Sequence, residues 1–167
     1  VDGNYTFAQR FLPLYDPLAL DLDGDGLETV SAAQSGVLFD HDGDGIQTGT
    51  GWVLSDDGFL VLDRNANGTI DTGAELFGDS TRLAGGGIAA DGFAALAQDD
   101  TNADGVVNSV DARWSDLRMW RDLNQDGVSQ AGELFTLASF GISSINVQAT
   151  EHSQVLADGN RIADLGT

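Results

Sequence analysis

The sequence predicts an α+β domain in which strands fill the first half, an EF-hand-like pair of helices follows, and further strands end the chain. Three observations support this: short apolar runs before residue 77, helical spacing from residue 91, and five acidic ladders closed by glycine. Asp or Asn at alternate positions before a glycine is the pattern of a calcium-binding loop. The ladders are Asp21-x-Asp23-x-Asp25-Gly26, Asp40-x-Asp42-x-Asp44-Gly45, Asp63-x-Asn65-x-Asn67-Gly68, Asp100-x-Asn102-x-Asp104-Gly105 and Asp122-x-Asn124-x-Asp126-Gly127. We therefore expect several calcium ions to organise the fold.

The charge of the chain supports this expectation. Acidic residues number 27 against 7 basic residues, all of them arginine, which gives a net charge of −20. Charge of this size opposes compaction. Because 41% of the residues are hydrophobic, the chain nevertheless has material for a core once cations neutralise its carboxylates. We expect a chain that is largely unfolded without calcium and compact with it.

The composition also excludes several partners and sites. So acidic a surface disfavours nucleic acid, and the absence of cysteine excludes disulfides and thiolate metal sites. No apolar run reaches the roughly 18 residues of a membrane span. Because such loops saturate at extracellular rather than cytosolic calcium levels, we expect a secreted protein, and we expect a monomer.

The first half contains four predicted strands after an apolar N-terminal stretch. Residues 1–16 carry no ladder, and the prolines at positions 13 and 17 favour an extended conformation around Asp16. Short apolar runs predict strands at Leu18–Leu22, Val37–Phe39, Trp52–Leu54 and Phe59–Leu62. Between the last two strands, Ser55-Asp56-Asp57-Gly58 predicts a hairpin turn.

The second half begins with helical periodicity. Asp91 is a predicted N-cap for a helix that carries Phe93, Leu96 and Ala97 on one face. A second helix is predicted from Val110, Trp114 and Leu117, and a third from Leu134, Leu137 and Ala138, with Gly141 after its end. The middle helix would follow the calcium loop 100–111 and lead into the loop that begins at Asp122. Residues 142–167 are predicted strands, with a turn at Asp158-Gly159.

Two ladders match a complete EF-hand loop position by position. In the loop that begins at Asp122, the ligands are Asp122, Asn124, Asp126, the Val128 carbonyl, Gln130 and, at position 12, Glu133. In the loop 100–111 they are Asp100, Asn102, Asp104, the Val106 carbonyl, Asn108 and Asp111. Asp is shorter than Glu, so we expect Asp111 to close its loop more weakly. A turn rich in Asp and Asn that binds no metal would not need oxygen ligands at all of these positions.

The other three ladders are less complete. The ladder of Asp63, Asn65 and Asn67 has its closing acid, Glu75, at position 13, and we expect Asp71 to assist. The ladders of Asp21, Asp23 and Asp25 and of Asp40, Asp42 and Asp44 have no acid at position 12. Each supplies roughly half of the oxygens that calcium takes. Distant residues or water must complete them, and Glu28 and Asp79 are weak candidates.

The peptide bond between Asp16 and Pro17 is the other chemically distinctive feature. The Asp16 carboxylate can reach its own carbonyl carbon and close a five-membered anhydride, and much of the entropic cost is met because both groups share one residue. The reaction also needs a proton donor for the proline nitrogen and relief of charge on the carbonyl oxygen. Most Asp-Pro pairs are simple turn starts, so the dipeptide alone does not establish cleavage.

Longer motifs run from Asp16 to about Val147. They are Asp16-Pro17-Leu18-Ala19-Leu20-Asp21-Leu22-Asp23-Gly24-Asp25-Gly26, Leu38-Phe39-Asp40-His41, Thr50-Gly51-Trp52, Gly73-Ala74-Glu75-Leu76-Phe77-Gly78-Asp79 and Trp120-Arg121-Asp122-Leu123-Asn124-Gln125-Asp126-Gly127. In this order they resemble the self-processing module of secreted FrpC-like RTX (repeats-in-toxin) proteins of Gram-negative bacteria.

The resemblance implies calcium-induced, single-turnover cleavage between Asp16 and Pro17 through an aspartyl anhydride. It also implies that water or a lysine amine takes the aspartyl group, the amine giving an Asp–Lys isopeptide link. The chain has no lysine, so the acceptor would belong to another protein or to the remainder of its own polypeptide. Residues 1–16 would be a flanking segment, and residues 17–167 the calcium-binding self-processing domain. The proton donor stays open, with Tyr15, His41 and a protonated carboxylic acid as candidates.

The alternative is a non-catalytic, calcium-dependent docking module of a secreted protein, in which the Asp-Pro bond is inert. A calcium buffer fits the charge but not the many aromatic residues. Zinc is disfavoured because His41 and His152 are far apart in the sequence and no cysteine joins them.

Overall fold

A four-stranded antiparallel sheet joins the two halves of the chain in the computed structural model, which describes residues 15–167. Its strands, in spatial order, are β1 (Ala19–Leu20), β6 (Gly58–Val61), β8 (Arg118–Trp120) and β9 (Leu134–Thr136). Phe59 lies opposite Trp120, and Leu60 lies opposite Met119. The predicted N-terminal segment, apart from Tyr15 and Asp16, lies outside the described residues.

Four two-stranded antiparallel ladders surround this sheet in the described part of the chain. They pair β2 (Thr29–Val30) with β5 (Trp52–Val53), β3 (Leu38–Phe39) with β4 (Thr48–Gly49), β7 (Val106–Asn108) with β10 (Ser144–Asn146), and β11 (Thr150–Val155) with β12 (Arg161–Leu165). The short helices are α1 (Ala32–Ser35), α2 (Gly92–Leu96) and 3₁₀ segments at Ala97–Asp99, Trp114–Asp116 and Leu137–Phe140. Within residues 15–167, no helix has the length and apolar character needed to cross a membrane.

Two hydrophobic clusters lie on either side of the central sheet, because successive side chains of a strand point to opposite faces. Along β6, Phe59 and Val61 belong to one cluster, whereas Leu60 belongs to the other. On β8, Trp120 joins the first cluster and Met119 the second. Each predicted strand of the first half overlaps a short strand of the structure, and the fold is mixed with a β emphasis.

The predicted EF-hand-like pair of helices is where the structure differs most. The first helix is confirmed, since α2 begins after Asp91, whose carboxylate accepts a hydrogen bond of 2.7 Å from the Ala94 backbone N–H. The second and third predicted helices are each a 3₁₀ turn next to a strand of the central sheet, at residues 114–120 and 134–140. Sheet pairing prevails because Met119 and Trp120 are fully buried against β6. The predicted stop is confirmed at Gly141, with φ of 71°.

The predicted hairpin between β5 and β6 is also corrected. Its turn exists, because Asp57 N–H donates to the Leu54 carbonyl at 3.1 Å. The strands on either side pair elsewhere, β5 with β2 and β6 with β1 and β8. Short strands carry little local preference for a partner, so long-range packing decides the pairing. The C-terminal turn at Asp158-Gly159, in contrast, does join a hairpin, β11 to β12.

Candidate functional site

All five acidic ladders adopt one backbone conformation. In each, the carboxylate at position 1 accepts a hydrogen bond from the N–H of the glycine at position 6. These bonds join Asp21 to Gly26, Asp40 to Gly45, Asp63 to Gly68, Asp100 to Gly105 and Asp122 to Gly127, at 2.8 to 3.1 Å. In the folded chain, each loop is therefore a turn with the carboxylate of position 1 on its inside.

Positions 4 and 6 of every loop have a positive φ. Position 6 is always glycine, the residue that adopts this conformation without steric cost. At position 4, three loops carry a residue with a side chain, and these are the only non-glycine residues with positive φ within residues 15–167: Ala66, Ala103 and Gln125, each at 58°. Three loops thus accept the same backbone strain at the same position, which indicates a common geometric requirement.

The two complete loops are closed by a carboxylate that binds the backbone at positions 2 and 9. Glu133 accepts hydrogen bonds from the N–H groups of Leu123 (2.9 Å) and Gln130 (3.2 Å). Asp111 accepts the equivalent bonds from Thr101 (2.7 Å) and Asn108 (2.9 Å). Both acids are buried, so each places its oxygens inside the loop rather than in solvent.

Glu75 takes the same place in the third loop despite its offset of one residue. It accepts from the N–H groups of Arg64 (3.3 Å) and Asp71 (2.9 Å), which are again positions 2 and 9. The predicted helper Asp71 accepts a hydrogen bond from the amide of Asn67 instead. One extra residue in the chain therefore leaves the position of the closing carboxylate unchanged.

The first loop is closed by an acid that lies outside every ladder. Asp57 accepts from Leu22 N–H and Glu28 N–H, both at 3.0 Å, and is only 1% exposed. Its oxygens lie within 4.8 Å of those of Asp21 and Asp23. Asp57, rather than the weak candidates Glu28 and Asp79, occupies the closing position. The sequence signal was an acidic pair, 56 and 57, placed between two apolar runs.

In the second loop the structure brings together the three predicted carboxylates, Asp40, Asp42 and Asp44, within 4.8 Å of one another. Asp40 is buried, and its carbonyl accepts from Gly73 N–H at 2.8 Å. That bond ties the second loop to the segment that contains Glu75.

The loops are also joined to one another and to the core. Ile70 N–H of the third loop donates to the Ser129 hydroxyl of the fifth at 2.6 Å, and both residues are buried. The indole of Trp52 donates to Asp122 at 2.8 Å, and the amide of Gln125 donates to the Val53 carbonyl at 2.8 Å. The fifth loop is thus anchored to the first half of the chain.

The Asp16–Pro17 bond lies at the edge of the central sheet. Leu18 N–H donates to the Phe77 carbonyl at 2.7 Å, and the Leu18 carbonyl accepts from Leu60 N–H at 3.0 Å. Gly78 packs against the bond itself, since a methyl group there would lie 2.6 Å from the Asp16 carbonyl oxygen. The segment that begins at the closing acid Glu75 therefore contacts the chain both before and after the bond. Gly78 packs against Asp16, and Phe77 accepts the hydrogen bond from Leu18.

The family model described as the SPM domain matches residues 18–167. The chain belongs to the SPM domain family. It is also similar to "Iron-regulated protein FrpA" of Neisseria meningitidis serogroup C, with 56% identity over 155 residues. That alignment covers 92% of this chain and 14% of the relative, so the chain spans a small part of the protein it matches.

The Asp16 carboxyl, just before the matched residues 18–167, is influenced by the charges of other acids. Burial, followed by the charges of Asp79, Asp91 and Asp164, raises the pKa of Asp16 to about 6. A carboxylate with a raised pKa is more basic and hence a better nucleophile once it is ionised. At neutral pH the ionised form still predominates. The sequence did not predict that these three acids act on the pKa of Asp16. Asp79, Asp91 and Asp164 are all remote from Asp16 in the sequence.

The ring of Tyr15 stacks on His41, with the centroids 4.0 Å apart and the planes at 11°. Burial lowers the pKa of His41 to about 4, so the imidazole is neutral near pH 7 and is not a cationic acid. Its Nε2 lies 3.1 Å from the Thr50 hydroxyl. Burial and the charge of Asp42 raise the pKa of Tyr15, so the phenol keeps its proton. Tyr15, Pro17 and Asp79 line one small pocket, so the Tyr15 phenol is a proton donor next to the proline.

The residues of the loops fit calcium. Their inward groups are carboxylate, amide and carbonyl oxygens, the ligands of a hard cation. Burial raises the pKa of Asp57, Glu75 and Asp122, so their charged forms need a compensating cation. The carboxylate clusters found within residues 15–167 contain no histidine.

Proposed function

We propose that this SPM domain cleaves its own Asp16–Pro17 bond when calcium folds it. The observation that carries the proposal is the position of the bond. The charges of three acids act on the Asp16 carboxyl, and its carbonyl packs against Gly78. A simple turn would not need a peptide bond clamped to the core in this way. The family match and the FrpA relative support the assignment to an RTX-related module.

In the proposed reaction the ionised Asp16 carboxylate attacks its own carbonyl carbon. The carbon–nitrogen bond to Pro17 breaks, the nitrogen takes a proton, and residue 16 becomes a cyclic anhydride. Tyr15 supplies the proton, because its phenol keeps its proton and lines the pocket at Pro17. The chain is already fixed on both sides of the bond. It therefore loses less conformational entropy on reaching the reactive geometry than a flexible Asp-Pro bond would.

Calcium, in this proposal, acts through folding. Asp21, Asp23, Asp25 and Asp57 would hold the ion nearest in sequence to the bond, and Glu75 would close the loop that leads to Gly78. The ion would supply positive charge that allows these carboxylates to converge. The chain's own residues, Gly78 and Leu18 above all, then hold the bond in its reactive position.

The fate of the anhydride follows from its chemistry. Water gives a fragment that ends in a free Asp16, whereas a lysine amine gives an Asp–Lys isopeptide link. Because this chain contains no lysine, we propose lysine-bearing acceptors in another protein. We also propose a secreted location, where calcium is abundant enough to fill the loops.

The test is an intact mass measurement of the calcium-free chain after calcium is added at neutral pH. We expect fragments 1–16 and 17–167, and no fragments when a chelator is present. Asp16→Ala should abolish cleavage while calcium-dependent folding persists. Asp116→Ala is the matched control, since Asp116 is exposed, lies on a 3₁₀ turn and lines neither pocket at the bond. Fragments from the Asp16→Ala protein would show that the wrong bond or nucleophile has been assigned.

The second candidate is a calcium-dependent docking module, and the observation that favours it is a groove of about 810 Å³ next to β1. In that case calcium would fold the chain, its mass would stay intact, and the groove would bind a partner without any covalent step.

A further inference from the structure

The groove beside the Asp16–Pro17 bond lies between two strands. One wall is formed by the consecutive residues 16–22, which include β1. The other wall includes all five residues of β12, whereas β11 contributes only Gln154. Since alternate residues of a strand point to opposite faces, a wall of consecutive residues shows that each strand turns its edge to the groove.

Both of these edges are unpaired within residues 15–167. β1 pairs with β6 alone, and β12 pairs with β11 alone. An unpaired strand edge offers backbone N–H and carbonyl groups to an extended segment, which can add to the sheet as a further strand.

The groove is also preformed, because the β11–β12 hairpin is anchored at both ends. At its turn, the Thr29 hydroxyl donates to Asp158 at 2.6 Å, and the Asn160 amide donates to the Val30 carbonyl at 3.0 Å. At its open end, Asn146 N–H donates to the Thr167 carbonyl at 2.7 Å. A bound segment would therefore meet a site of fixed width, which lowers the entropic cost of binding.

Access to Asp16 is asymmetric. Gly78 covers the bond on the side of the small Tyr15 pocket and does not line the groove. Asp16 and Pro17 do line the groove. A nucleophile that attacks the reacted Asp16 therefore has its open approach from the groove.

The lining has the chemistry to receive a lysine side chain. The lining has five acidic residues and a single arginine, Arg161. Asp21 and Asp25 belong to the first loop, and the other three acids are Asp16, Glu28 and Asp164. Apolar side chains lie beside them, namely Leu20, Phe93, Phe140 and Ile142. Acidic groups attract an ammonium group, and apolar surface covers the aliphatic stem of lysine.

We propose that this groove is the acceptor site, which binds an extended lysine-bearing segment of a second protein as an added strand and presents its amine to Asp16. The inference rests on the proposed function. In the step, the deprotonated ε-amine attacks an anhydride carbonyl carbon. The carbon–oxygen bond of the ring breaks, the other carboxyl leaves as a carboxylate, and the nitrogen releases one proton to water.

The experiment compares acceptors in the full chain with calcium. The acceptors, at equal concentration, are a seven-residue Val/Thr peptide with one central lysine, the same peptide N-methylated at alternate residues, and N-acetyl-lysine methylamide. Mass spectrometry gives the ratio of acceptor-linked to hydrolysed fragment 1–16. We expect the highest ratio with the unmodified peptide, because only that acceptor combines an amine with a full strand edge.

Two variants test the charge of the groove. Asp164→Asn should lower the ratio for the peptide by about two- to fivefold, the size expected for one partly exposed ion pair. Glu151→Gln is the matched control, because Glu151 lies directly opposite Asp164 in the hairpin but does not line the groove. Its ratio should equal that of the wild type.

The outcomes separate the two proposals. If the wild type shows no fragments with calcium, the proposed function is overturned and the groove assignment with it. If fragments form, but the three acceptors give equal ratios and Asp164→Asn changes none of them, self-processing stands and the groove assignment is overturned.

Discussion

At the scale of single residues, the environment of Asp16 determines the chemistry that we propose. Burial and the neighbouring acids make its charged form less stable than that of a free aspartate and raise its pKa to about 6. The side chain is the internal nucleophile only when it is ionised. The same acids that make ionisation harder also make the carboxylate more basic.

This environment predicts the pH dependence of cleavage. Because the pKa of Asp16 is raised, the nucleophilic carboxylate is lost as the pH falls through about 6. We expect the single-turnover rate with saturating calcium to rise through that pH and to level off above it, as measured by gel or mass spectrometry. A rate that stays constant from pH 8 down to about 5 would contradict the role of Asp16.

Gly78 gives a second prediction at this scale. A methyl group there would lie 2.6 Å from the Asp16 carbonyl oxygen, so Gly78→Ala must displace the bond. We expect cleavage to slow by about 100-fold, the cost of roughly 1 Å of misplacement. Gly85→Ala is the control, since its added methyl group would meet no atom within 4 Å. Equal rates for the two variants, both folded with calcium, would remove Gly78 from the site.

At the scale of elements, each loop consists of a local ladder and a closing carboxylate. In the four loops with an identified closing acid, that acid accepts from the backbone N–H at position 2 and from a second N–H further along the loop. The second N–H is at position 9 for Glu75, Asp111 and Glu133, which follow their own ladders, and at position 8 for Asp57, which does not. The role of the closing acid is thus defined by position in space. Sequence distance from the ladder is secondary.

Asp57→Asn tests this conclusion. We expect calcium binding at the first loop to weaken by at least the roughly tenfold to hundredfold that loss of a supporting group costs at a metal site. Calorimetric titration with calcium measures the loss as one weakened binding step. Asp116→Asn, an exposed acid on a 3₁₀ turn, serves as the control and should bind as the wild type does.

The contact between the third and fifth loops gives another prediction. Ser129→Ala removes the acceptor of the Ile70 N–H and leaves a buried donor unpaired. We expect the free energy of unfolding of the calcium-loaded protein to fall by about 1–3 kcal/mol. Urea denaturation measures the change, and Ser143→Ala, an exposed serine, should leave the midpoint unaltered.

At the scale of the whole molecule, the charge of −20 and the hydrophobic content of 41% act in opposite directions. The hydrophobic clusters on the two sides of the central sheet favour the compact state. The carboxylates that converge in the loops oppose it until a cation is present. Folding and ion binding should therefore be one coupled process.

We expect this coupling to be visible by circular dichroism. The calcium-free chain should have a largely unfolded far-UV spectrum that becomes that of a strand-rich protein as calcium is added. The Asp16→Ala variant should show the same transition, because Asp16 belongs to none of the loops. A chelator that leaves the far-UV spectrum unchanged would contradict the calcium-folded state.

The sequence by itself determined the five ladders, the Asp-Pro bond and most of the strands of the first half. These features could be predicted because their information is local: a ladder and its turn lie within consecutive residues. Tertiary structure alone decided that Asp57 closes the first loop, that Gly78 packs against Asp16, and that two predicted helices are short 3₁₀ turns next to strands of the central sheet. Each of these depends on contacts between distant residues, because burial and long-range pairing override weak local preferences.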